Sequence, residues 1–186
     1  MKNKTKVFGA IFILVLSPGL FGNFSLAEKE YGREDHGNRE RFGEHGKKCS
    51  RVPSDESYTK TCGQCHMAYP PMLLPSHSWK KIMNRLDDHF GEKIAIDSRL
   101  KEGISRYLVE NGADRSSCKK AVKIMKSLNG KVPMRITEVP YIRNEHREIP
   151  SKILEREKIG SLSNCLACHK KADQGLFNER DIKIPS

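Results

Sequence analysis

The chain is short of material for a large hydrophobic core: apolar residues fill only 37% of its 186 positions, aromatics 7%, and there is a single tryptophan. That excludes a polytopic membrane protein and is thin for a self-sufficient interior. Long blocks of like charge are missing as well. Lys and Arg total 34 against 23 acids, a formal net charge of +11. The excess is spread along the chain with little aromatic interleaving, which argues against a nucleic-acid partner. Runs with the two-residue alternation of strands are nearly absent. The length allows one domain or two small ones, and something other than side chains is needed to fill the interior.

The one long apolar run lies near the N-terminus. Lys2, Lys4 and Lys6 precede a stretch from Val7 to Leu16, Pro18 and Gly19 break it, and Ser25-Leu26-Ala27 supplies small residues before a cleavage point. This is the pattern of a secretory signal peptide over residues 1–27, with a run too short to span a bilayer comfortably. An uncleaved N-terminal anchor is the alternative; with no Cys directly after the cleavage point, a lipoprotein anchor is not expected. Removing three lysines and no acids leaves a net charge of +8. Export to the periplasm places the remaining thiols among oxidants.

Residues 28–60 read as a polar, flexible arm without helical or strand period. His36 and His45 lie here beside Asp35 and Glu44, as solvated loop histidines rather than a metal site. Beyond the arm the period turns helical. Ser78 is expected to cap a helix with Trp79, Ile82, Met83, Leu86, His89 and Phe90 on one stripe, closed by Gly91. A second helix follows Asp97, with Leu100, Ile104, Tyr107 and Leu108 on one face and Asn111-Gly112 as its stop. A third starts near Ser116, turns Cys118, Val122, Met125 and Leu128 inward, and ends at Asn129-Gly130. Residues 131–150 hold three prolines and no clear period, so an extended connection is expected. Pro150-Ser151 opens a short helix to about Ile159, and Ser163 caps a last one that Gly175 ends.

One pentapeptide pattern occurs twice: Cys62-Gly63-Gln64-Cys65-His66 and Cys165-Leu166-Ala167-Cys168-His169. On one helical turn, thiols at i and i+3 share a face and can reach the two vinyl groups of a haem edge. The His that follows can then swing beneath the iron as proximal ligand, so C-x-x-C-H reads as c-type haem attachment. Two covalently attached haem c groups also answer the composition problem, because each brings large apolar faces. A thioredoxin-like dithiol is the weaker reading in a chain without a βαβ pattern. A four-Cys zinc site requires the two pairs to meet and leaves both His unexplained. A pair of local disulfides would be strained. The expected class is therefore all-α, with few short helices and long irregular loops packed around two covalently bound haems. The first haem module covers 61–130 and the second 131–186.

Sixth ligands decide whether the irons are closed. His89 lies 23 residues after His66, and His146 lies 23 before His169, so each spacing can fold one distal His over its own haem; exchange between modules is equally allowed. His77 is a poorer candidate. Met125 and Met134 are possible by spacing, but Met125 sits on an apolar helical stripe where core packing is the better account. Two imidazoles stabilise the ferric state, whereas a Met ligand raises the potential, so a low-potential carrier is expected. Proximal Nδ1–H groups should bond backbone carbonyls. Arg135, Tyr141, Arg143 and Arg147 flank His146 as candidate partners for haem propionates, with plain surface charge the alternative. Cys49 and Cys118 remain: a disulfide is the plain account in an oxidising compartment, with a thiolate ligand or a reactive thiol also open.

The run from Cys62 through His66-Met67-Ala68-Tyr69-Pro70-Pro71, Leu73-Leu74-Pro75, Ser78-Trp79 and His89-Phe90-Gly91 resembles the bacterial dihaem cytochrome c family. So do Arg135-Ile136-Thr137, Pro140-Tyr141, His146-Arg147-Glu148-Ile149, and Cys165 to His169 followed by Ala172, Gly175, Phe177 and Ile184-Pro185. The resemblance spans about 61–186 and includes spacer residues that haem attachment alone does not demand. It implies a periplasmic electron carrier with two bis-His haems, His89 and His146 standing at the distal positions. It also implies redox partners such as an oxygen-binding monohaem cytochrome or a membrane b-type cytochrome. Cys49, Cys118 and the polar arm lie outside it. The competing reading is a dihaem enzyme, peroxidase-like or acting on sulfur or nitrogen oxides, which needs one open or displaceable iron. A haem-based sensor is weaker still, since no signalling domain is evident.

Overall fold

A computed structural model describes residues 47–51 and 53–186, which fall in a single unit. The signal-peptide reading, His36 and His45 lie outside the described residues. The described chain forms seven short helices: α1 Glu56–Cys62, α2 Ser76–Met83, α3 Ser98–Glu110, α4 Lys119–Leu128, α5 Pro140–Glu145, α6 Ser151–Leu154 and α7 Cys165–Cys168, with 3-10 turns between them. Among the described residues there is no strand, only isolated bridges such as Lys47 with Cys118 and His89 with Glu92. No described helix is long and apolar enough to cross a membrane.

Capping chemistry fixes the best-formed helices. Asp97 accepts hydrogen bonds from the Arg99 and Leu100 N–H groups at the start of α3, which buries Ile104 and Leu108 and ends at Asn111 as expected. α4 ends where Asn129 turns left-handed, with φ 46°. Its inward positions are Ala121, Ile124 and Leu128, with Val122 only half-buried, because the helix starts at Lys119 and Cys118 serves as its N-cap.

Four expectations need correction. The helix expected from Ser78 to Phe90 starts earlier and stops at Met83; Ser78 is fully buried inside it rather than capping it. Beyond Asn84 the chain makes a 3-10 turn over Leu86–Asp88, then reverses through Phe90 at φ 59° and Gly91 at φ 103°. A right-handed helix cannot pass those dihedrals, so His89 sits in a turn and not on the helical stripe. The stretch 131–150 is not wholly extended: it carries a 3-10 turn, Ile136–Glu138, and then α5, which Pro140 opens at its first position. α6 spans only four residues instead of reaching Ile159, and the final helix is α7, with Asn164 rather than Ser163 before it.

The described end of the arm is also tied down. Cys49 and Cys118 are disulfide-bonded across 69 residues, Lys47 donates to the Ser117 carbonyl at 2.9 Å, and Tyr58 on α1 is buried.

The core lies between α1, α2, α3, α4 and α5. α2 packs on α3, Trp79 donates its Nε1–H to the Pro71 carbonyl at 2.7 Å, and Met72, Leu74, Ile104, Leu108, Ile124 and Val139 are fully buried. α4 and α5 pack together across the expected module boundary at 130/131. The tail from 151 to 186 contributes only Ile159, Ala167 and Ala172 as buried apolar residues. So small a cluster does not stabilise some three dozen residues by itself, which is where an apolar cofactor has most to contribute.

Candidate functional site

Four histidines meet in two pairs. Cys62 is the last residue of α1, and Gly63 closes that helix where any β-carbon would collide with the Thr59 carbonyl. Cys65 and His66 follow in the exposed turn. The His66 Nδ1 lies 2.7 Å from the Met67 carbonyl; a carbonyl only accepts, so Nδ1 is the donor and Nε2 is the nitrogen left to ligate. Tyr69 lays its ring along His66 at 5.2 Å and 26°. Facing it is His89, with ring centres 6.2 Å apart and planes only 18° from parallel. Phe90 meets His89 edge-on at 4.9 Å, and the Arg135 guanidinium sits 4.2 Å over the Phe90 ring. Burial first, then the neighbouring His66 and Arg135, hold the His89 pKa below the usual imidazole value.

The second pair joins the tail to α5. α7 carries Cys165 and Cys168 on a single turn, with His169 as its C-cap. His146, the C-cap of α5, brings its ring to 6.0 Å from His169 at 75°. His146 Nδ1 lies 2.7 Å from the Ile142 carbonyl, again freeing Nε2. His169 departs from the expected carbonyl partner: its Nδ1 is buried without a hydrogen bond to the chain. Its ring is instead packed between His146 and Phe177, the latter at 5.4 Å. Burial, then His146 and Lys120, push the His169 pKa down.

Both separations suit a metal ion held between two imidazoles. Two metal–nitrogen bonds of about 2 Å each, plus the half-widths of two rings, come to about 6 Å. The lowered His89 and His169 pKa values favour the neutral imidazole, which is the ligating form.

The four motif thiols are unpaired, while the disulfide joins Cys49 to Cys118; the thiolate-ligand and free-thiol accounts of those two residues therefore fall away. Burial pushes the Cys62 and Cys165 thiols up to about 11, opposite to the activated thiolate of a dithiol catalyst. Among the described residues no three His, Cys, Asp or Glu side chains gather as a metal cage, so the two Cys pairs do not combine into a zinc site.

Other candidates stand apart. His77 is exposed on α2, and Met125 and Met134 pack against the core. Tyr141 reaches Glu145, and Arg147 bonds Asn144 and Glu148. Of the basic residues considered for propionates, Arg135 stands beside a His pair. The roles of Tyr69, Phe90 and Phe177 as ring neighbours were not read from the sequence; an aromatic three residues after His66 and another directly after His89 are the signals that were there.

Over residues 58–177 the chain matches the family model of dihaem cytochrome c. It is similar to the solved diheme cytochrome c from Rhodobacter sphaeroides, with 41% identity, coverage of 69% of this chain and 100% of that one, and a TM-score of 0.58. It is likewise similar to the diheme cytochrome type c from Shewanella baltica OS155, at 35% identity over 72% of this chain and 95% of that one, with a TM-score of 0.59. No curated protein sequence matches it. The chain belongs to the dihaem cytochrome c family, and with it to the haem electron carriers that bind two haem c groups covalently.

Proposed function

We propose that the protein is a periplasmic one-electron carrier with two low-potential bis-His haems. In this reading Cys62 and Cys65 would attach one haem and Cys165 and Cys168 the other; His66 with His89, and His169 with His146, would hold the two irons. The observation that carries it is the ring-centre separation of 6.2 Å in one pair and 6.0 Å in the other, with Nδ1 of His66 and His146 turned to a carbonyl.

When bound, the haems would supply the Fe(III)/Fe(II) couple. The chain's own residues do the rest. The Met67 and Ile142 carbonyls orient two imidazoles and make them stronger donors, which favours the ferric state and a low potential. With two imidazoles offered to each iron, the chain would leave no position for substrate, and such a closed site would reorganise little on reduction. Tyr69 stacks on His66, and Phe90 and Phe177 meet His89 and His169 edge-on, so apolar surface lies against the imidazoles. The Cys49–Cys118 disulfide fits an oxidising compartment. A basic surface would meet redox partners through small, salt-sensitive contacts; an oxygen-binding monohaem cytochrome and a membrane b-type cytochrome are the partners to try first.

An optical redox titration of the purified holoprotein tests this reading. Two one-electron steps, both negative on the hydrogen scale and low-spin throughout, are expected. A high-spin component or a step at positive potential would overturn it in favour of an open iron or a Met ligand.

A further inference from the structure

Tyr69 touches both haem-attachment segments. Its ring stacks on His66 at 5.2 Å, while its hydroxyl donates to the Ser163 carbonyl at 2.8 Å, across 94 residues of sequence. That same carbonyl accepts from the Cys165 N–H at 3.0 Å, and the Cys165 Sγ lies 3.6 Å from it. A single side chain thus leads from the imidazole of one C-x-x-C-H to the backbone of the first cysteine of the other. Its position is fixed on the far side too. The buried Tyr58 donates its hydroxyl to the Tyr69 carbonyl at 2.9 Å, and Tyr58 is braced by Tyr107, whose ring lies 5.6 Å away and whose hydroxyl holds the Pro53 carbonyl. Pro70 and Pro71 then stiffen the chain directly after it.

We infer that Tyr69 is the bridge between the two haem sites, a positioning residue that holds the attachment segments together and supplies a route of one ring stack and two hydrogen bonds for electron exchange between the haems. The inference rests on the bis-His reading above. With the haems bound, one electron would pass between the sites, one iron being oxidised as the other is reduced; Tyr69 is itself neither oxidised nor deprotonated. A tyrosine hydroxyl is protonated at neutral pH, so the hydrogen bond to the Ser163 carbonyl is present there. The route runs from His66 across the stacked ring, through the hydroxyl to the Ser163 carbonyl, and by the second hydrogen bond to Cys165. Without the hydroxyl a second through-space gap replaces a hydrogen bond, and coupling decays more steeply across such a gap than along bonds.

The test uses the holoprotein and Tyr69→Phe, which keeps the ring and removes only the hydroxyl. Each protein is mixed with less than one equivalent of dithionite and frozen at intervals. The two ferric signals, distinguishable because one His pair is near-parallel and the other near-perpendicular, then report how fast the electron equilibrates. Tyr69→Phe should equilibrate several-fold more slowly while reaching the same final ratio, with both ferric signals and both midpoint potentials unmoved. Ser163→Ala, which keeps the accepting carbonyl, should behave as wild type, and Tyr69→Leu should be slower than Tyr69→Phe. Equilibration of Tyr69→Phe at the wild-type rate would overturn the bridge, as would a slowing accompanied by shifted potentials, which would assign the effect to driving force. Wild-type protein without two low-spin ferric signals would instead overturn the underlying bis-His reading.

Discussion

His146 and His169 hold their rings 6.0 Å apart with planes 75° from parallel, whereas His66 and His89 at nearly the same separation lie within 18° of parallel. On an iron between two imidazoles, parallel rings both act on one d orbital and split the pair, while perpendicular rings act on both orbitals and leave them nearly degenerate. Low-temperature electron paramagnetic resonance of the ferric protein should therefore show two different low-spin signals in equal amounts. One should be rhombic and the other strongly anisotropic. Two identical signals would contradict the ring geometry.

Removing one distal imidazole should open one haem only. In His89→Ala the reduced protein should bind carbon monoxide at one haem of two, and His146→Ala should do the same at the other. His89→Met should keep that iron closed and raise its potential. Carbon monoxide difference spectra and a redox titration check this. Binding at both haems in either single variant would mean the pairs are not independent.

Much of this site was legible in the sequence because haem attachment leaves a contiguous mark. The two C-x-x-C-H runs are contiguous and so visible directly, and of the two pairings the spacing allowed, within or between modules, the structure brings His66 to His89 and His146 to His169. The expected route to His89 was wrong, however: apolar residues from Trp79 to Phe90 mimic one helix, but Phe90 and Gly91 take positive φ and swing His89 into a turn. α5 was hidden because six residues are too few to display a helical period. The reach of Tyr69 to Ser163 is a long-range contact with no local signature.

The Cys49–Cys118 bond closes a long loop on the α4 N-cap, so its loss acts mainly on the unfolded chain. Replacing both with Ala should lower stability by about 2–4 kcal/mol without changing the haem bands. Denaturant unfolding followed by far-ultraviolet circular dichroism measures it. Dithiothreitol should reproduce the loss in wild type, because it cleaves the disulfide and spares thioether bonds.

Asp114 caps α2 from outside the helix: the Ser76 N–H donates to its Oδ1 at 2.6 Å, and Ser76 Oγ lies 2.7 Å from the same oxygen. Burial pushes this carboxyl up, but the Ser76 hydrogen bonds and Arg115 outweigh it and hold it below its usual range. A depressed carboxyl contributes stability that is present above its unfolded pKa of about 4 and lost as pH falls through the folded value. Asp114→Asn should cost about 1 kcal/mol at neutral pH, kept small by partial exposure. The difference from wild type should vanish in acid, as unfolding curves at several pH values would show.

Gly112 lies against the same cap. A β-carbon there would stand 2.7 Å from the Ser76 nitrogen and 2.9 Å from its hydroxyl, so Gly112→Ala should lower the melting temperature more than Gly103→Ala on open α3 surface, where nothing lies within 4 Å.

The most direct test of two irons each closed by a histidine pair is a carbon monoxide titration of the dithionite-reduced wild-type holoprotein, followed by absorption. The account predicts low-spin haem c spectra at two haems per chain, unchanged by carbon monoxide. A shift of the Soret band in either haem would contradict it and put an open or displaceable iron in its place.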